Sequence, residues 1–212
     1  MKKIIITLFI STGFFMPATA QKDAKAKDLL NKTAAILAQA GGISASFTLN
    51  IKDGMNETSQ ACDGTILMKG DKFIINMPEQ AIYFDGKTQW IYQKSGEEVS
   101  ITQPSGEEMQ ALNPKSIFAN YKKTDYRYAG TKTDGKKRKV QEVILFPKQG
   151  DISKITIQIN AAGFPVSFFI FYKNKIESKI HINKYLTKQN FSDSLFVFDG
   201  KQYPNAEIID LR

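Results

Sequence analysis

A change of hydrophobic period within residues 26–51, AKDLLNKTAAILAQAGGISASFTLNI, indicates how the chain folds. In its first part, apolar residues recur at spacings of three and four, which is typical of an amphipathic helix over Asp23–Ala40. Gly41 and Gly42 end this helix, because glycine readily adopts the left-handed backbone conformation found at helix C-termini. From Ile43 to Ile51 apolar and polar residues alternate, as in a strand with one buried face. The sequence therefore predicts one helix that leads directly into a sheet.

The same alternation continues to residue 186, interrupted by turns that contain glycine, aspartate or asparagine. It predicts ten further strands, which are Ala61–Lys69, Lys72–Met77, Ala81–Phe84, Thr88–Tyr92, Glu98–Thr102, Asp125–Thr131, Lys139–Phe146, Ile152–Asn160, Pro165–Tyr172 and Ile176–Leu186. Between the strands Glu98–Thr102 and Asp125–Thr131 the pattern predicts two short helical segments, residues 107–112 and 115–121. We therefore expect a mainly β (α+β) chain of about eleven antiparallel strands.

A sheet of this size with one apolar face has to cover that face. The predicted helices are too few to fill the interior of so long a sheet. On the hydrophobic period alone, two outcomes are open: the sheet closes into a packed small barrel, or it stays partly open around a hydrophobic cavity.

The N-terminus has the pattern of a secretory signal peptide. Lys2 and Lys3 precede the apolar run Ile4–Met16, and Ala18-Thr19-Ala20 supplies a cleavage site of small residues. We expect residues 1–20 to be removed on export to the periplasm, and residues 21–212 to form a single domain. No cysteine stands at the end of the apolar run or at the cleavage site, so the pattern does not predict a lipid-anchored protein.

The sequence contains few groups that could carry catalysis. The single cysteine, Cys62, and the single histidine, His181, cannot form a clustered zinc site. We expect His181 to be a solvated strand residue that shares a face with Lys179 and Asn183, and Cys62 to be a small buried or half-buried filler. The pairs Glu97-Glu98 and Glu107-Glu108 lie in turn-like segments, where we expect them to be solvated. We therefore predict no enzymatic activity, no metal and no cofactor, and for an exported chain no nucleic acid partner.

A basic run, Lys136-Lys137-Arg138-Lys139, follows the turn residues Asp134-Gly135 in a chain of net charge +8. A solvated hairpin tip is its ordinary explanation. The functional alternative is weak docking to anionic lipid headgroups or to an acidic partner, since a basic residue near an anionic membrane contributes about 1 kcal/mol.

The order of several motifs resembles that of the LolA family of periplasmic lipoprotein carriers. A strand that contains Ala45-Ser46-Phe47-Thr48 is followed by Gly64-Thr65-Ile66-Leu67-Met68-Lys69. The hairpin Asp85-Gly86-Lys87-Thr88-Gln89-Trp90-Ile91-Tyr92 comes next. Asn113-Pro114 then opens a helical insertion, and Ile155–Gly163 ends in a glycine turn.

The resemblance implies an open or incomplete antiparallel β-barrel of about eleven strands with a helical lid. It also implies that the acyl chains of lipoproteins bind in a hydrophobic cavity. Carriers of this family move their cargo from an inner-membrane lipoprotein-releasing transporter to an outer-membrane acceptor, and we expect a monomer. Alternation and resemblance together select ten candidate acyl-contacting residues: Phe47, Leu49, Met68, Phe73, Ile75, Trp90, Tyr92, Ile157, Phe168 and Ile170.

One departure from the family concerns the lid. The arginine that typically follows the lysine of the Gly64–Lys69 strand, and that holds the lid closed in the family, is Gly70 in this sequence. Two alternatives with the same cavity remain open, a carrier of another amphiphile such as a glycolipid and a lipid-binding regulator of envelope stress.

Overall fold

The computed structural model describes residues 23–104, 117, 118 and 120–212. The predicted N-terminal helix is confirmed as α1, Ala24–Gln39. Asp23 caps it, because the Asp23 carboxylate accepts hydrogen bonds from the backbone N–H groups of Lys25 and Ala26 at 2.8 and 3.2 Å. The predicted signal peptide and the helical segment 107–112 lie outside the described residues, as do residues 115, 116 and 119 of the segment 115–121. The described residues of that second segment, 117, 118, 120 and 121, are helical.

The eleven predicted strands are all present, with ends that differ by a few residues. They are β1 Gly42–Asp53, β2 Thr58–Lys69, β3 Lys72–Asn76, β4 Gln80–Phe84, β5 Gln89–Gln93, β6 Glu98–Thr102, β7 Asp125–Thr133, β8 Lys139–Phe146, β9 Ile152–Ile159, β10 Pro165–Tyr172 and β11 Ile176–Gln189. A twelfth strand, β12, covers Glu207–Asp210 and was not predicted.

All twelve strands form one open sheet in the order β12-β6-β5-β4-β3-β2-β1-β11-β10-β9-β8-β7. The hairpin-connected halves β1–β6 and β7–β11 join through the long antiparallel pair of β1 and β11. The eleven predicted strands pair antiparallel throughout, which confirms that expectation, and the additional strand β12 pairs with β6 in parallel. Because β7 and β12 end the sheet without pairing to each other, the sheet is not closed.

The main hydrophobic core lies between α1 and one face of the sheet, called here the inner face. Leu29, Leu30 and Leu37 of α1 are buried against it. Strands from both halves contribute, since residues such as Ile66 and Ile155 belong to the same buried cluster. The apolar stripe of α1 and the alternate residues of the strands therefore cover each other, as the two hydrophobic periods require.

The opposite face, called here the outer face, carries a smaller core. Residues 190–212, the C-terminal segment, extend from the end of β11 to the edge strand β12. Phe198 of this segment contacts Tyr92, with ring centroids 5.9 Å apart, and stacks on Tyr203 at 5.2 Å. The segment therefore covers the outer face in the half of the sheet that contains β5. Among the described residues, no helix is long and apolar enough to cross a membrane.

Candidate functional site

The inner face brings together eight of the ten predicted acyl-contacting residues. Seven are buried in the main core and the eighth, Leu49, is half-buried beside it. The seven are Phe47, Met68, Phe73, Ile75, Ile157, Phe168 and Ile170. Strand pairing sets them side by side, since Met68 is opposite Phe73 and Phe168 is opposite Ile157. They form one apolar surface that spans both halves of the sheet.

Trp90 and Tyr92 lie on the outer face, so the prediction that they line the same surface is wrong. Their neighbour Ile91 packs against the main core, whereas Tyr92 and Trp90 belong to the smaller core around Phe198. Alternation could not assign them, because both faces of β5 are apolar and the C-terminal segment covers the outer one.

Several inner-face residues were not selected from the sequence. The clearest is Phe84, whose ring lies 5.3 Å from that of Phe73. Tyr126 and Leu145 are buried in the same core and come from β7 and β8. Their alternation was visible in the sequence, but the neighbouring strands were known only after the sheet order was established.

Two elements cover the inner face. The first is α1, and the second is the described end of the insertion, which contains Phe118 and Tyr121. The ring of Phe118 packs edge-on against Phe168, with centroids 6.4 Å apart. The Tyr121 hydroxyl donates a hydrogen bond to Oδ1 of Asn31 on α1 at 2.6 Å, which ties the two covers together. Burial raises the pKa of Tyr121, so the hydroxyl remains a donor at neutral pH.

The N-terminus of α1 is attached to the edge strand β7 through Asp23. The Asp23 N–H donates to the Tyr126 carbonyl at 3.3 Å, and the Tyr128 N–H donates to the Asp23 carboxylate at 3.2 Å. Hydrogen bonds from the backbone of Ala26 and Tyr128 hold the pKa of Asp23 below its usual value. The Asp23 end of the helix is therefore fixed to the sheet.

Two polar atoms face the apolar interior without a hydrogen-bond partner among the described residues. They are Oγ1 of Thr33 on α1 and Oε1 of Gln89 on β5. Thr33 is fully buried and Gln89 is 5% exposed. A buried polar atom without a partner is costly; Oε1 of Gln89 can only accept a hydrogen bond, whereas the Thr33 hydroxyl can donate or accept one.

Gly70, which stands where the sequence comparison expects an arginine, lies in the turn between β2 and β3. The flanking Lys69 and Lys72 each contact the Asp193 carboxylate with their Nζ atoms, at 2.9 Å in both cases. Lys69 also donates to the carbonyl of Phe191 at 2.7 Å. Hydrogen bonds first from Lys69 and then from Lys72 lower the pKa of Asp193 to about 2. The cations at this turn therefore hold the C-terminal segment.

The predicted basic run Lys136, Lys137, Arg138 and Lys139 is exposed at the tip of the β7–β8 hairpin. Asp134, which is 8% exposed, folds back into this tip and accepts a hydrogen bond from Nε of Arg138 at 2.8 Å. The negative charge of Asp134 therefore offsets part of the positive charge of this basic run.

The single histidine, His181, and the single cysteine, Cys62, are both partly buried in the sheet. His181 is half-buried, and its Nδ1 lies 3.0 Å from the Ser167 hydroxyl. Burial, together with the charges of Lys136 and Arg138, lowers the pKa of His181. Cys62 is a partly buried free thiol. Within the described ranges, no three His, Cys, Asp or Glu side chains are grouped as metal ligands.

Comparison with known families gives a match over most of the chain. The family model described as "Outer membrane lipoprotein carrier protein LolA" matches residues 16–170. An outer-membrane lipoprotein carrier protein of Cronobacter sakazakii is 25% identical over 169 residues, which cover 77% of this chain and 76% of the relative.

A second relative is the uncharacterized protein MJ0687 of Methanocaldococcus jannaschii, which is 31% identical over 150 residues. The match covers 68% of this chain and only 43% of that protein. Among solved structures, an uncharacterized conserved protein of Thermus thermophilus superposes with a TM-score of 0.59 at 10% identity, covering 88% of this chain and 99% of the other. At that identity the likeness concerns the fold alone.

Proposed function

Because this chain belongs to the LolA family of outer membrane lipoprotein carrier proteins, we propose that it is a periplasmic carrier of lipoproteins. It binds their acyl chains against the inner face and transfers them from the inner to the outer membrane. The observation that carries this proposal is the continuous apolar lining of the inner face, to which both halves of the sheet contribute.

Acyl binding requires apolar area rather than reactive groups. Each methylene that leaves water contributes about 0.8 kcal/mol, so a few acyl chains supply ample binding free energy. The inner-face residues Phe47, Leu49, Phe73, Ile157 and Phe168 are the contacts we propose, together with Met68, Ile75 and Ile170. Catalysis has no part in this function.

Cargo enters only when the covers move, because Phe118, Tyr121 and the apolar stripe of α1 occupy the inner face in this conformation. The fixed attachment of Asp23 to β7 supports an opening in which Phe118 and Tyr121 move away from the inner face while the start of α1 stays in place. Since ligand binds only the open form, the closed form weakens its affinity and favours release.

The pattern of residues 1–20 supports export to the periplasm, and the single continuous sheet supports one domain over residues 21–212. The partners we propose are an inner-membrane transporter that releases lipoproteins and an outer-membrane acceptor, with the carrier acting as a monomer.

The first experiment identifies the cargo. The protein is purified from its native envelope without detergent, and the bound molecules are analysed by mass spectrometry. Triacylated peptides are the expected result. Glycolipids or other amphiphiles alone would reject the lipoprotein assignment in favour of a carrier or sensor of those lipids.

The second experiment locates the binding surface with two matched variants. Leu49→Glu places a charge on the inner face, and Leu67→Glu places one at a half-buried position of the outer face. We expect Leu49→Glu to weaken binding of a fluorescent fatty acid at least tenfold, because a charge beside the acyl chain has to be desolvated. Leu67→Glu keeps the affinity. Equal affinities for both variants would contradict the inner-face site.

A further inference from the structure

The outer face is divided into a covered and an uncovered half. The C-terminal segment packs on the half that contains β5, where Phe198 completes the smaller core. In the other half, the outer-face side chains Phe146, Phe169 and Phe171 of β8 and β10 are half-buried. Phe side chains are most often fully buried, so three neighbouring rings that the described residues leave only partly covered mark this half of the outer face.

A lysine or arginine side chain lies over each of these three rings. Nζ of Lys154 lies 3.8 Å from the ring centroid of Phe171, and Nζ of Lys179 lies 5.4 Å from that of Phe169. The third pair is Arg127, whose guanidinium carbon lies 5.8 Å from the ring centroid of Phe146. These six residues form what we call the cation–aromatic face.

Strand register makes this face continuous across six strands. One row of paired residues runs from β1 to β7 through Asn50, Lys179, Phe169, Thr156, Ile144 and Arg127. The next row places Lys52 opposite Glu177, and Phe171 between Glu177 and Lys154. Cations therefore border the aromatic rings along the strands and across them.

A groove of about 300 Å³ opens on this face. Its lining includes Asn50, Lys52, Phe169, Phe171, Glu177 and Lys179. Two ammonium groups, the Glu177 carboxylate, one amide and two rings surround the groove, so its cations outnumber its one acidic group.

The basic hairpin tip adds charge beside the same face. His181 pairs with Ser167 in the row next to Lys179 and Phe169, and the charges of Lys136 and Arg138 act on His181. Two carboxylates, Glu177 between Lys52 and Phe171 and Glu142 near Gln158, add negative charge, and Asp125 is paired with Lys148 at 3.3 Å. They are fewer than the cations Lys52, Lys154, Lys179 and Arg127 together with the hairpin tip. The local balance is therefore positive.

We propose that the cation–aromatic face docks this protein on the surface of a bilayer that contains anionic phospholipids. In water the lysine stems cover the rings while their ammonium groups stay hydrated. At an anionic surface the ammonium groups pair with lipid phosphates, and the uncovered rings reach the boundary between headgroups and acyl chains. The occupant is a lipid surface, because it offers phosphate and apolar area together. This inference goes beyond cargo binding, which takes place on the opposite face of the sheet.

The test is co-sedimentation of the protein, free of cargo, with vesicles in 0.1 M salt. Vesicles of phosphatidylglycerol and phosphatidylcholine are compared with vesicles of phosphatidylcholine alone. A triple variant, Lys52→Gln, Lys154→Gln and Lys179→Gln, removes three charges from the face. Since each basic residue near the surface contributes about fivefold, we expect its partition coefficient to fall about 100-fold.

The matched control removes the same net charge elsewhere, by Lys27→Gln, Lys87→Gln and Lys201→Gln at exposed positions outside the face. It should bind within a few-fold of the unmodified protein. Equal losses in both triple variants would reduce the effect to net charge and overturn the proposal. Failure of the unmodified protein to bind anionic vesicles would also overturn it, and would turn attention to an acidic protein partner.

Insertion of the rings is tested with a Phe171→Trp reporter in a Trp90→Phe background. We expect a blue shift on anionic vesicles and quenching by lipids brominated near the headgroup. A reporter that stays fully water-exposed when the protein is bound would overturn the orientation we propose. Neither vesicle measurement uses cargo, so both remain informative if the acyl-binding proposal fails.

Discussion

The ring of Phe47 occupies the space that a side chain at position 64 would fill. Phe47 on β1 is directly opposite Gly64 on β2, and both point to the inner face. A Cβ built on Gly64 would approach Cε2 of Phe47 to 2.8 Å and the carbonyl oxygen of Asn76 to 2.9 Å. The glycine that begins the Gly64–Lys69 motif therefore gives Phe47 its place in the core.

Gly64→Ala should destabilise the protein by about 1–3 kcal/mol, because overpacking displaces the Phe47 ring and the backbone near Asn76. Urea unfolding followed by far-UV circular dichroism measures the change. Gly135→Ala is the control, since a Cβ there meets no atom within 4 Å, and it should change stability by less than about 0.5 kcal/mol. If Gly64→Ala were as stable as the unmodified protein, Phe47 would not be fixed over this glycine.

Much of the fold followed from local sequence, because helix and strand periods are local properties. The helix before Gly41 and the eleven strands were found in this way, with errors of a few residues at their ends. β12 was missed because Glu207–Asp210 is short and charged at both ends. Its pairing with β6 depends on Phe198 and Tyr203, which anchor the preceding segment on the outer face.

The candidate site was less accessible to sequence reasoning. Alternation separates two faces within a strand, but it does not state which face of a doubly buried strand lies inside. Trp90 and Tyr92 were misplaced for this reason, whereas Phe47 and Ile157 have polar neighbours on the other face and were placed with the core. The cation–aromatic face was invisible because it depends on the order of strands from distant parts of the chain.

The buried hydroxyl of Thr33, which has no hydrogen-bond partner among the described residues, should lower the free energy of unfolding. Thr33→Val keeps the shape of the side chain and removes a buried polar atom that lacks a partner among the described residues. We expect the variant to be about 1 kcal/mol more stable, which raises Tm by roughly 2–4 °C in a protein of this size. Scanning calorimetry of the cargo-free protein measures it.

Thr33→Ser provides the comparison, because it keeps the hydroxyl and removes the methyl group. It should be less stable than the unmodified protein, since it leaves a small void. A loss of stability in Thr33→Val would show that the hydroxyl has a partner in the part of the chain that the structure does not describe.

The ion pairs of Asp193 predict a local response to pH. The pKa of Asp193 is about 2 in the folded protein and near 3.9 in an unfolded chain. The ion pairs therefore stabilise the attachment of the C-terminal segment fully above about pH 4, and this contribution is lost as the pH falls through 2. Carbon NMR of the Asp193 carboxyl should show a titration midpoint near 2.

Substituting the two cations tests the cause of that shift. In a Lys69→Met, Lys72→Met variant the midpoint should move up toward the ordinary aspartate value, because the hydrogen bonds to the carboxylate are gone. Lys87→Met, at an exposed turn, should leave it unchanged. A midpoint near 4 in the unmodified protein would mean that these lysines do not hold the segment.

The hydrogen bond between Tyr121 and Asn31 predicts how readily the covers separate. Tyr121→Phe removes the hydroxyl that ties the insertion to α1 but keeps the buried ring. Asn31 is exposed and can bond to water instead, so the closed form should lose about 0.5–1.5 kcal/mol. The open population, and with it the affinity for a fluorescent fatty acid, should rise about two- to tenfold.

Two variants distinguish this tie from a general loss of stability. Tyr128→Phe removes a hydroxyl that contacts Thr131 within the same strand, at 3.2 Å, and should leave fatty acid affinity unchanged. Asn31→Ala breaks the same contact from the other side, so the double variant with Tyr121→Phe should bind no more tightly than either single variant. Fully additive gains would show that the two side chains act separately. Weaker binding by Tyr121→Phe would indicate that the hydroxyl contacts the cargo instead of holding the covers closed.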